Sequence, residues 1–294
     1  MLIQLFIIQV LLIFSLAANS SIGFHTDMLT LPERVYSLWG ENVFQLSKWT
    51  TDSDQHLKLL NGSGTAFLVF SNQEFSYFVT AKHVANVCSQ SGSVKCKLSS
   101  DSEFDTKALI FNKDISEFLT VVDTWIFSPT EKKWKYDLFA NDIAIVRTKS
   151  IGRFFNAFDF QIFDLAELKN IAGQAYYRTH FVLGYPYLNA RHSIRDKYDH
   201  SILKMRWSKG EILRIGTTPL MKLKIQSNAD SLVGNSGGPV IAEDGTLIGI
   251  LNGGPNFLEY QDFPVMFSYI TPATYVKFLI GSILLKRSDA KRLN

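Results

Sequence analysis

The chain has 294 residues, 46% hydrophobic and 19% charged, which is ordinary globular material sufficient for one large domain or two small packed ones. That composition excludes a chain kept disordered by low hydrophobicity, and a net charge of +3 is too weak for a dedicated nucleic-acid binder.

Residues Leu2 to Leu16 are almost wholly apolar and run into Ser15-Leu16-Ala17-Ala18, small residues of the kind a signal peptidase accepts. We read residues 1–18 as a cleaved signal peptide; no Lys or Arg precedes the run, and retention as a short anchor is the alternative. Nothing later has an apolar run of spanning length, so a secreted, extracellular or periplasmic body without a membrane span is expected. Residues 19–60 form a polar and aromatic lead without sustained periodicity, expected to be irregular or to hold a strand or two, and a candidate pro-segment.

From Asn61 the texture changes to short runs rich in Val, Ile, Phe, Tyr and Thr, divided by Gly, Asn, Asp and Ser. Strands are predicted over 65–70, 77–80, 108–111, 142–147, 179–183, 222–226, 240–242 and 247–251, the signature of an all-β barrel or sandwich. Asp244-Gly245 between the last two marks an antiparallel hairpin. Thr271 followed by Pro272 reads as an N-cap and first helical residue of a helix reaching about Leu285, with Tyr275, Phe278, Leu279, Ser282 and Ile283 on the docking face. Residues 286–294 read as a basic, solvated tail. A boundary near Phe163–Leu168 divides the body into 61–165 and 166–285.

The only cysteines, Cys88 and Cys96, are eight positions apart; in an exported chain they suit a small disulfide loop, and in a chain that never meets oxidant two thiols. Metal-binding Cys/His spacings are absent, so neither metal nor cofactor is assigned. Asn61-Gly62-Ser63 is a glycosylation sequon. Nine Lys/Arg against three acids from Arg191 to Lys224 read as solvated loop and strand faces.

The strongest chemical signal is Gly234-Asn235-Ser236-Gly237-Gly238-Pro239-Val240. Acyl transfer needs backbone N–H groups aimed at the developing oxyanion, and a residue lacking Cβ at 234 lets the chain turn so that its N–H and that of Ser236 share one hole. A serine hydroxyl also needs an adjacent base, held in the right tautomer by a carboxylate. His83, in Phe78-Val79-Thr80-Ala81-Lys82-His83-Val84, sits at a strand end; Asp142, in Asn141-Asp142-Ile143-Ala144-Ile145-Val146, starts an apolar run. Taken singly, His83 reads as a core histidine, Asp142 as a turn residue and Ser236 as one serine in a glycine-rich turn. His25, His56, His180, His192 and His200 lack such framing and read as surface or packing residues.

Together GTAFLV, FVTAKHV, NDIAIV, GYP, GNSGGPV and GTLIGI resemble the trypsin/chymotrypsin superfamily of serine peptidases over about Gly62 to Leu285, closer to the bacterial-type branch than to the digestive trypsins. The resemblance implies two packed six-stranded antiparallel β-barrels with a C-terminal helix, a triad of His83, Asp142 and Ser236, and an oxyanion hole from Gly234 and Ser236. Counting back from Ser236, it aligns Asp230 with the acid of a basic-specific pocket and Gly254 with the pocket wall. Asn235 stands where digestive trypsins carry an aspartate that pairs with a new N-terminus, so hydrogen bonds alone should build the hole. Protein or peptide substrates follow, with no nucleic-acid partner and no expectation about oligomeric state. Two rivals are an inert binding protein on the same fold and an esterase using the same triad.

Overall fold

The computed structural model describes residues 30–51, 57–85, 94–99, 119–127, 142–152, 154–157, 179–186, 205–217, 223–231, 234–253, 268–285 and 290–293. Its strands fall into two antiparallel systems. The first contains β1 (Val43–Thr51), β2 (Leu57–Ser71), β3 (Phe75–Thr80), β4 (Val94–Ser99), β5 (Leu119–Thr120), β6 (Asp123–Phe127), β7 (Ala144–Lys149) and β8 (Phe155–Asn156), joined by β15 (Ala290–Leu293). Its order is β15-β6-β7-β3-β2-β1-β4-β5, with β8 paired beside β2. The second contains β9 (Thr179–Gly184), β10 (Arg206–Thr217), β11 (Leu223–Ser227), β12 (Pro239–Ala242), β13 (Leu247–Gly253) and β14 (Ser268–Pro272). It closes as the six-stranded barrel β10-β11-β14-β13-β12-β9, which leaves no unpaired edge. With the C-terminal helix this architecture fits the chymotrypsin-like double barrel.

Alternation along these strands builds three apolar clusters. Leu46, Leu68, Phe78 and Val146 fill the first system, and Val182, Ile212, Ile225, Val240 and Ile270 fill the barrel. The third cluster lies between them, joining Phe67, Val79 and Ile145 to Phe181, Leu183, Ile241 and Leu279, so the two halves share one core.

Several elements depart from the sequence reading. The lead holds β1, between β2 and β4, within the expectation of a strand or two there, but it also contributes an unexpected short helix, α1 (Glu33–Trp39). Trp39 is fully buried, packs edge-on against Phe67 and donates its indole N–H to the Gly245 carbonyl of the β12–β13 hairpin at 2.9 Å. Leu31, just before the helix, and Val35 and Trp39 on it are spaced four apart and enter the core, a repeat too short to stand out as a period in the sequence. Residues 290–293 are a strand paired with β6, not a solvated tail; main-chain hydrogen bonding to an edge needs no apolar pattern and left no trace in the sequence. Thr271 is not a helix cap: β14 runs through Pro272, Ala273 is the N-cap without a side-chain bond, and the helix, α3, spans Thr274–Leu284. The Thr271 hydroxyl is committed to Asn252 instead. The docking face holds, with Tyr275, Leu279 and Ser282 buried beside Val276 and Ile280.

Part of the basic stretch is β10, where buried Trp207 and Ser208 precede exposed Lys209 and Glu211. His180 is a buried packing residue with Nε2 2.6 Å from the Ser227 hydroxyl. The signal segment 1–18, the strand predicted at 108–111, the boundary at 163–168, Cys88, Gly254, His25, His56, His192 and His200 lie outside the described residues, as does the side chain of Cys96 on β4. Among the described residues no helix is long and apolar enough to cross a membrane.

Candidate active site

Strand register brings His83 and Asp142 together. β3 pairs antiparallel with β7 so that Thr80 faces Ala144, and continuing that register beyond both strand ends sets the residues around 83 opposite those around 142. His83 lies on a single helical turn, α2 (Lys82–Ala85), closed by N–H donations from Val84 and Ala85 to the Ala81 carbonyl. The turn aims the imidazole back at Asp142. His83 Nδ1 lies 3.0 Å from Oδ1 and 3.1 Å from Oδ2 of Asp142, and the His83 backbone N–H donates to Oδ1 at 3.0 Å. A carboxylate only accepts, so Nδ1 carries a proton, and in the neutral ring Nε2 is the nitrogen with the lone pair. The side chains are 50% and 34% exposed respectively, open enough for a ligand to reach the ring.

Asn252, at the end of β13, completes the carboxylate's shell. Its Nδ2 donates to Asp142 Oδ2 at 2.6 Å and to the Asp142 carbonyl at 3.2 Å, while its Oδ1 accepts from the Thr271 hydroxyl at 2.6 Å. Burial raises the Asp142 pKa, but hydrogen bonding and charge from His83, then the Asn252 donor, outweigh it and hold the carboxyl below its ordinary value. Asn252 was missed in the sequence; its one signal is an amide breaking the apolar run of β13 at its end.

Ser236 enters from the barrel side, on the loop leading into β12. Gly234 and Gly237 there have φ of +99° and +91°, a region costly for residues with a Cβ. At Gly237 an added Cβ would also lie 2.1 Å from the Thr65 carbonyl oxygen. The Ser236 hydroxyl donates to the Asn252 carbonyl at 3.3 Å, so Asn252 touches both Asp142 and Ser236. Among the described residues no hydrogen bond joins Ser236 to His83, a contact that is often long without substrate. The Gly237 and Gly238 N–H groups bond to the carbonyls of Leu251 and Asn235, whereas no backbone bond among the described residues uses those of Gly234 or Ser236.

Asp230 is half-buried after β11, its carbonyl accepting from the Ser208 hydroxyl at 3.1 Å. Its supposed partner Gly254 is not described, so the pocket pair is not assembled here. Among the described residues no group of three His, Cys, Asp or Glu side chains is placed to hold a metal ion.

A family model described as a trypsin-like peptidase domain matches residues 64–250. That span begins at the GTAFLV stretch and ends with GTLIGI, enclosing His83, Asp142 and Ser236. No curated protein matches the sequence.

Proposed function

The chain belongs to the trypsin-like peptidase family, and on that premise we propose that it is a serine endopeptidase with Ser236 as nucleophile, His83 as general base and Asp142 as the group orienting that base. The observation that carries this reading is the His83–Asp142 pair, whose Nδ1–H faces the carboxylate, making Nε2 the basic nitrogen of the neutral ring, on a side chain half exposed to solvent. On a bound peptide, Ser236 Oγ attacks the scissile carbonyl carbon while Nε2 takes the hydroxyl proton. The N–H groups of Gly234 and Ser236 stabilise the oxyanion. The imidazolium, favoured by Asp142, then protonates the leaving amine, and water activated by Nε2 hydrolyses the acyl-enzyme. Half-exposure of His83 favours this reading over an inert binding protein, whose ring would have no reason to stay accessible beside a satisfied carboxylate.

Two finer points belong to the same proposal. The chain is exported, with residues 1–18 removed. Asp230 favours substrates with Arg or Lys before the scissile bond, through charge pairing in a desolvated pocket.

A fluorophosphonate probe tests the chemistry. The protein should take up one adduct, read by intact mass, and Ser236→Ala and His83→Ala should take up none, with kcat on a peptide substrate falling by about 10⁶-fold. An unlabelled but folded protein would favour the inert reading, and rapid ester but no peptide turnover the esterase. Asp230→Asn should lower kcat/KM for Arg and Lys peptides at least about tenfold relative to neutral ones; an unchanged ratio would remove Asp230 from the pocket.

A further inference from the structure

The oxyanion loop needs an anchor, and Asn235 does not supply it. The residue is 1% exposed, yet its side-chain Oδ1 has no hydrogen-bond partner among the described residues. The loop is nevertheless pinned at three successive carbonyls. Gly234 O accepts from the Thr65 hydroxyl at 2.7 Å, Asn235 O from the Gly238 N–H at 2.9 Å, and Ser236 O from the Thr65 N–H at 2.9 Å. Two of the three anchors therefore come from one residue of β2, in the other strand system.

Thr65 is itself fully constrained. The Tyr185 N–H donates to its Oγ1 at 3.0 Å, and since a backbone N–H only donates, the single hydroxyl proton of Thr65 is directed to Gly234 O. The Thr65 carbonyl accepts from the Thr80 hydroxyl at 2.7 Å, three residues before His83. Thr65 and Thr80 are both completely buried, so each of these bonds is made without competition from water. The Gly184-Tyr185-Pro186 motif gains a reason here. A Cβ at Gly184 would lie 2.7 Å from Asn235 Oδ1 and 2.9 Å from Thr65 Oγ1, so glycine makes room for the latch and Tyr185 orients it.

Resting on the serine-peptidase reading above, we propose that Thr65 is a positioning residue that latches the oxyanion loop, its N–H and hydroxyl fixing the Ser236 and Gly234 carbonyls so that the Gly234 and Ser236 N–H groups stay aimed into the hole. Each held carbonyl fixes one peptide plane; the plane carrying the Ser236 N–H, itself held at the Asn235 carbonyl by Gly238, lies between the two that Thr65 fixes, and the plane carrying the Gly234 N–H adjoins the first of them. The ion pair that Asn235 cannot form is thereby replaced by neutral bonds from the other strand system.

Thr65→Val keeps the shape and removes the hydroxyl; Thr65→Ser keeps the hydroxyl. Acylation by p-nitrophenyl acetate is measured for both, with hydrogen exchange of the peptide spanning 234–238. The Val variant should lose roughly 10–100-fold in the saturating acylation rate, less than removal of an oxyanion donor itself, with half-saturation within about twofold, because the hole acts on the transition state. Its 234–238 amides should exchange faster, and the Ser variant should restore both readouts to within about threefold. A folded Val variant acylating within twofold of the parent, or a Ser variant as impaired as Val, would overturn the latch. If Val does not fold, Thr65→Cys, a much weaker donor, takes its place with the same expectations. Should the parent neither acylate nor take the fluorophosphonate, the peptidase reading fails, and the exchange comparison alone decides the latch: faster exchange supports it, unchanged exchange overturns it.

Discussion

The candidate site has two sides, a first wall built on the nine-stranded system and a barrel wall, and the two are stiffened by different means. On the first wall, His83 and Asp142 are partly open to solvent and held by side-chain bonds, in a line from Thr271 through Asn252 to the carboxylate and the imidazole. On the barrel wall, the Ser236 loop is held by its own carbonyls, in a setting where Gly234, Asn235, Gly237 and Gly238 are all buried. On the proposed function the difference follows from two tasks. A base must be kept in one tautomer by a charged group, which needs donors of graded strength around it. An oxyanion hole is made of main-chain N–H groups, so it is specified by close approach of backbones and by the absence of side chains. Substitutions should therefore act by degrees among the side-chain bonds that hold the first wall and abruptly at the glycines of the Ser236 loop.

Gly237→Ala tests the abrupt side and should have the larger effect. Its methyl would lie 2.1 Å from the Thr65 carbonyl oxygen and 2.4 Å from the Thr80 hydroxyl, at a φ unsuited to alanine. The loop must move, and since displacement of about 1 Å costs on the order of 100-fold, fluorophosphonate labelling should slow at least that much. A labelling rate within tenfold of the parent would show that the loop tolerates side chains and dissolve the contrast. Asn252→Ala comes next. Losing a donor to a charged carboxylate is worth about 1.5–3 kcal/mol, so kcat should fall roughly 10–100-fold. Thr271→Val, one bond further out and neutral, should cost about 2–10-fold by the same measurement. Equal losses for the two would mean that the chain acts as a unit and not by degrees.

A pH series sharpens the same point. Asp142 is held below the ordinary carboxyl value of about 3.9, so its ionised form contributes stability that is present above that pH and is lost as pH falls through the folded value. Asn252→Ala removes one of the causes of that depression. The melting temperature of the variant should lie below that of the parent above about pH 4, and the gap should narrow toward pH 2 as both become protonated. A gap constant from pH 2 to 6 would mean that Asn252 stabilises by packing and not through the Asp142 charge.

Legibility in the sequence followed the same division. Gly234, Ser236 and Gly237 were readable because a hole made of backbone leaves glycines in one short run. His83 and Asp142 were readable because each sits beside an apolar strand whose period marks it, and because their order matched a family pattern. Asn252, Thr65 and Thr271 were not, since a polar residue in or at the end of a strand looks the same whether it faces solvent or a partner. Asn252 meets Asp142 across 110 residues of chain, and Thr65 meets Gly234 across 169. The Thr271-Pro272 pair misled for a local reason: it has the composition of a helix start, but the hydroxyl found a stronger use in Asn252.

The sequence by itself determined the β-rich character of the body, the antiparallel hairpin at Asp244-Gly245, the helix near the C-terminus and the three residues proposed for the chemistry. Each is written in a local pattern of alternation, turn residues or glycine spacing. Only the tertiary structure decided that the lead belongs to the core through Trp39, that residues 290–293 return to β6, and that Thr65 and Asn252 tie the two walls together. Those outcomes depend on strand register and on burial of main-chain groups, and a hydrogen bond between distant backbones is made by atoms every residue carries, so no particular side chain has to record it.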